Sequence, residues 1–112
     1  MRKAARGHGL VTWADNKKNR SVCLDAADVV AFNGYPSWYD SIPPGQYWAD
    51  LAAWSKERYP ERPFIISETG AGGLYEWDNV SAVRWSQRLQ AELVTANAEF
   101  AIEEAICRPQ GQ

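Results

Sequence analysis

The sequence has one histidine, His8, and two cysteines, Cys23 and Cys107, far apart in its 112 residues. With no Cys-x-x-Cys and no second histidine, the usual zinc-ligand spacings are missing, so a zinc site is not expected. No apolar run approaches the roughly 20 residues that a membrane helix needs. The first residues are basic but lack the apolar stretch of a secretory signal, and the compartment stays open. A formal net charge of −2 provides no positive field for nucleic acid or an anionic membrane, and neither is expected as a partner. Internal repeats and low-complexity tracts are also absent.

The composition is that of a globular domain, 46% hydrophobic and 23% charged, and the length leaves room for one domain at most. Six tryptophans and five tyrosines are many for this length. Such rings build cores, and they also line sugar sites, where the flat C–H face of a pyranose stacks on them.

The chain alternates apolar strands with amphipathic helices. Residues 1–9 are basic and aperiodic and read as a disordered terminus. Leu10-Val11-Thr12-Trp13 is a strand candidate ending in Ala14-Asp15-Asn16, and a polar loop follows to Ser21. Asp25-Ala26-Ala27 reads as a short helical turn. Val29 to Asn33 is a near-continuous apolar run of the kind buried on both faces of a parallel sheet. After a Pro- and aromatic-rich loop from Gly34 to Gly45, Gln46 to Tyr59 has helical spacing through Tyr47, Leu51, Trp54 and Arg58, and Pro60 stops it. Phe64-Ile65-Ile66, with Pro63 at its entry, reads as a third buried strand. Ser81 to Ala105 is the longest helix signal, with Trp85, Leu89, Leu93, Ala96 and Phe100 on one stripe and Asp78 or Asn79 as its cap. Residues 106–112 read as a disordered tail.

That order predicts an α/β fold of parallel βαβ units. The C-terminal ends of the three strands carry Asp15 and Asn16, then Asn33 and Tyr35, then Glu68. Glu68 is followed by the permissive run Thr69-Gly70-Ala71-Gly72-Gly73. An acid at the end of a buried strand is how (β/α)8 barrels present catalytic groups, although a strand-end acid facing solvent is the plain alternative. A closed barrel takes about 250 residues, so three strands read as residues 10–105 of a partial barrel. Its strand edges would be exposed and open to self-association.

Two runs carry a family resemblance. Asp28-Val-Val-Ala-Phe-Asn-Gly-Tyr-Pro-Ser-Trp-Tyr39, followed by Phe64-Ile-Ile-Ser-Glu-Thr-Gly-Ala-Gly-Gly73, resembles the catalytic barrel of glycoside hydrolase family 2, the group of β-galactosidases, β-glucuronidases and β-mannosidases. The resemblance spans roughly Leu10 to Glu104. It implies a fragment of a (β/α)8 TIM barrel holding about strands five to seven, and a β-galactoside or β-glucuronide as substrate. It further implies that Glu68 is the nucleophile of a retaining glycosidase and that the Tyr35 hydroxyl orients it. Asn33 would lie near the sugar, with Trp38 and Tyr39 as platform or wall. Each of these has a structural alternative: Asn33 as a strand-end cap, the aromatics as loop packing. No cofactor is implied. The family's acid/base glutamate follows an asparagine, and this chain has no Asn-Glu pair. The isolated chain is therefore expected to be inactive. An association module built on a barrel remnant is the alternative expectation.

Overall fold

The computed structural model describes residues 9–78 and 81–107, and side chains up to residue 104. The frayed ends expected at residues 1–8 and 108–112, and the candidate cap Asn79, lie outside the described residues. Two compact units form, one from Met1–Gly34 with Ala49–Glu68, the other from Tyr35–Trp48 with Thr69–Gln112.

The first unit carries a three-stranded parallel sheet in chain order, β1 (Ala14–Asp15), β2 (Val30–Asn33) and β3 (Phe64–Glu68). The parallel order and the strand–helix alternation agree with the sequence pattern. β2 is central and three of its four residues are buried, as a strand covered on both faces requires. Phe32 packs its ring against Phe64 at 5.7 Å and Trp54 at 6.3 Å, which joins the two strands to the helix between them.

Two strands differ from expectation. β1 pairs only through Ala14 and Asp15, later than the Leu10–Trp13 run. Before it the backbone is tied down by single contacts: the Val11 N–H donates to Asp28 Oδ2 and the Asp28 N–H to the Val11 carbonyl, both at 2.8 Å. Leu10 is exposed. β3 is not buried as expected. It is an edge strand of the described sheet, and Ile65 is 44% exposed. An apolar run signals a strand, but burial on both faces also needs a covering layer, and Ile65 is not covered.

Helix α1 (Pro44–Arg58) begins two residues before the periodic pattern. A proline suits the first helical turn, since its missing N–H would have no intrahelical acceptor there. Its buried line runs through Pro44, Trp48, Leu51 and Ser55, one residue round from the Tyr47–Arg58 stripe. Helix α2 (Gln87–Cys107) begins six residues later than expected and continues through Ile106 and Cys107, where a tail was expected. Short 3-10 turns, Lys18–Arg20 and Leu24–Ala26, occupy the connection between β1 and β2. Among the described residues, no helix is long and apolar enough to cross a membrane.

Candidate functional site

The sheet register breaks at one point. β2 and β3 pair Val30 with Phe64, Ala31 with Ile65 and Phe32 with Ile66, but then Asn33 with Glu68. Ser67 is the extra residue of a bulge. Such an insertion re-aims the side chains beyond it, because each one-residue slip along a strand exchanges the faces. Here it turns two consecutive side chains of β3 toward a single partner on β2. The Ser67 hydroxyl donates to Asn33 Oδ1 at 2.7 Å, and Asn33 Nδ2 lies 3.5 Å from Glu68 Oε2, the outer limit of a hydrogen bond. The Gly34 N–H donates to the Glu68 carbonyl at 2.9 Å, which carries the pairing one step past β2. The carboxylate and the amide are therefore neighbours at the C-terminal end of parallel strands, with Glu68 exposed to water.

Asp15 sits at the matching end of β1 but is already engaged. Its Oδ1 accepts from the Lys17 and Lys18 N–H groups at 2.6 and 2.8 Å. That is the turn-capping role its sequence context suggests. Asp15 aligns with Phe32, and Phe32 with Ile66, so it stands two strands from β3. At about 4.8 Å per strand this is nearly 10 Å. No group of three or more potential metal-ligating side chains is found among the described residues.

The remaining site candidates belong to the second unit. Tyr35 packs edge-on against Tyr39, with ring centroids 5.5 Å apart, and Tyr39 is exposed. Trp38 is buried. The Arg84 guanidinium lies 4.1 Å above its ring and donates to its carbonyl, and Trp85 meets it edge-on at 4.9 Å. Trp38 is therefore packed within its unit, whereas Tyr39 is exposed. The glycine run is held to α2: Gln90 Nε2 donates to the Ala71 carbonyl at 3.0 Å. A Cβ on Gly72 would strike the Trp85 ring, which explains glycine there, whereas one on Gly73 would meet only the movable end of the Gln90 side chain.

Sequence reasoning missed Ser67, Arg84 and Gln90. Ser67 lies inside the quoted motif, but a bulge leaves no periodic signal in a five-residue strand. Arg84 and Gln90 act across more than a dozen residues, on groups that no local pattern connects to them. A hollow of about 410 Å³ lined by Asp25, Trp54, Arg58 and Tyr59 among others, and one of about 420 Å³ beside Asp78 and Arg88, lie elsewhere. Neither includes Asn33, Ser67 or Glu68.

No protein-family model and no curated protein matches the chain. Solved structures do. A family 2 β-galacturonidase from Eisenbergiella tayi, bound to galacturonate, is 28% identical with a TM-score of 0.73 over 80% of this chain. A β-D-glucuronidase from Dictyoglomus thermophilum is 24% identical, with a TM-score of 0.78 over 90%. A β-glucuronidase from Ruminococcus gnavus, in complex with D-glucuronic acid, is 22% identical, with a TM-score of 0.66 over 78%. The two at lower identity speak for the fold alone. The match covers only 16%, 18% and 16% of those three chains. Over most of its length, then, the chain is similar to one part of a glycoside hydrolase family 2 enzyme, the resemblance that its two motifs carry.

Proposed function

We propose that this chain is part of the catalytic barrel of a retaining β-glycosidase, about strands five to seven, with Glu68 as nucleophile. The observation that carries the reading is the bulge that sets Glu68 beside the Asn33 amide at the C-terminal end of parallel strands. This is where barrel enzymes place their chemistry. In the retaining cycle a Glu68 carboxylate oxygen attacks the anomeric carbon. The bond to the leaving oxygen breaks, and that oxygen takes a proton from a second carboxyl group about 5–5.5 Å away. The same group then deprotonates a water, which attacks the anomeric carbon and frees Glu68. The Asn33 amide lies beside the carboxylate; by the family resemblance Asn33 is near the sugar, Tyr35 orients the nucleophile, and Trp38 and Tyr39 are platform or wall residues. A β-linked uronide is the favoured substrate, since solved enzymes similar to this chain are named for glucuronide and galacturonide cleavage. β-Galactosides remain within the reading.

The test uses the enzyme encoded by the whole reading frame around this chain, assayed on p-nitrophenyl β-glucuronide, β-galacturonide and β-galactoside. Glu68→Gln is expected to cut kcat by at least a thousandfold, about 4 kcal/mol of barrier. In Glu68→Ala, added azide fills the vacated space, attacks from the nucleophile's side and yields an α-glycosyl azide. A β-azide would make Glu68 the acid/base instead. Unimpaired turnover in both variants would remove Glu68 from the mechanism.

A further inference from the structure

We infer that Ser67 is a positioning residue that sets which end of the Asn33 amide faces Glu68, an inference resting on the reading of Glu68 given above. An asparagine amide has an accepting and a donating end of nearly the same shape, and a half-turn exchanges them. Beside a carboxylate only one orientation is productive. The NH2 donates to the anion, whereas the carbonyl oxygen repels it. Glu68 alone would choose between the two weakly, because its contact is 3.5 Å long and exposed to water.

Ser67 supplies the missing constraint. Its hydroxyl lies 2.7 Å from Asn33 Oδ1 and donates to it, the shorter of the two side-chain contacts to this amide. With Oδ1 held on the serine side, the planar amide must present Nδ2 to Glu68. The bulge makes this possible. In a regular strand, Ser67 and Glu68 would point to opposite faces and could not both reach one residue of β2. The register shift between Phe32 and Asn33 therefore does two things: it brings the carboxylate to the amide and adds the hydroxyl that fixes the amide's direction. The role needs a hydroxyl, not bulk. Ser67 is exposed, so its substitution leaves no buried hole.

The side-chain NH2 protons of Asn33 report this contact in the 112-residue chain itself. By 15N-resolved NMR, Ser67→Ala is expected to shift these two signals and speed their exchange with water. Ser67→Thr, which keeps the hydroxyl and suits a strand, is expected to restore them. Melting temperatures of the two variants should be equal. Asn33 signals unchanged in Ser67→Ala would overturn the inference, as would a Thr variant that behaves like Ala. In the whole enzyme, Ser67→Ala is expected to lower kcat about tenfold with KM little changed. It should cost almost nothing in an Asn33→Ala background, because its effect passes through the amide. An equal loss in both backgrounds would also overturn it. If the NMR response holds but no β-glycoside is turned over, the glycosidase reading fails while the Ser67–Asn33–Glu68 arrangement stands.

Discussion

Tyr59 shows how a single side chain can couple stability to pH. It follows α1 and is buried. Its hydroxyl donates to Asp25 Oδ1 at 2.8 Å, and the Arg62 guanidinium stands 4.6 Å over its ring. Arg62 also donates to the Leu24 carbonyl at 2.8 Å, which ties the segment after α1 to the 3-10 turn before β2. Burial raises the phenol above its ordinary value near 10, and Asp25 acts in the same direction against a smaller opposing effect of Arg58. Below pH 10 the phenol is neutral in both folded and unfolded chains, and the stability it confers is fully present. As pH rises from 10 through the raised folded value, the unfolded chain ionises first and that stability is lost. Urea midpoints measured from pH 8 to 11 should therefore fall more steeply for the natural chain than for Tyr59→Phe. The variant itself should lose about 1 kcal/mol at neutral pH with the Asp25 hydrogen bond. Parallel slopes would mean that the phenol titrates alike in both states.

At the scale of elements, the start of α2 depends on Ser86, which is fully buried. The Leu89 N–H donates to its Oγ and the Gln90 N–H to its carbonyl, both at 3.1 Å. Trp85 just before it adopts a left-handed φ of 71°, which breaks any helix arriving from Ser81. Ser86→Ala is expected to cost about 1 kcal/mol in thermal unfolding and Ser86→Gly only a few tenths, the order for an N-cap. Equal losses would show that the hydroxyl caps nothing. This boundary also marks how far the sequence could be read. The apolar runs at Val29–Asn33 and Phe64–Ile66 located two strands, and the helical spacings located both helices, although only the first strand is buried. The start of α2 was misplaced by six residues because Ser81–Ser86 has helical composition while its backbone turns. Nothing local signals the positive φ at Trp85. The site followed the same division. Asn33 and Glu68 stood out as polar residues closing apolar strands, but Ser67 became visible only through the register. The buried Trp48–Asn97 contact, 2.5 Å between indole nitrogen and amide oxygen, joins residues 49 apart on two different helices. The apolar stripe assigned to α2 passed over Asn97 because a buried amide breaks the pattern.

For the whole chain, the question is whether these residues suffice for the proposed reaction. Retaining hydrolysis needs two carboxyl groups about 5–5.5 Å apart. The strand ends of the first unit offer Glu68 and Asp15. Asp15 stands two strands away, nearly 10 Å by sheet spacing, with one oxygen committed to two backbone N–H groups. It cannot serve as the second carboxyl group without giving up the turn that it caps. Glu68 is also open to water, which solvates the carboxylate that has to attack. Both arguments lead to the same expectation. The isolated 112-residue chain should release no p-nitrophenolate above background from p-nitrophenyl β-glucuronide, β-galacturonide or β-galactoside. A better leaving group should not help, because a dinitrophenolate needs no acid to depart but still requires a bound and oriented sugar. Turnover of the dinitrophenyl substrate alone would show that the chain binds sugar and lacks only the acid. Turnover of both would show that the chain binds and orients sugar and would overturn the expected inactivity.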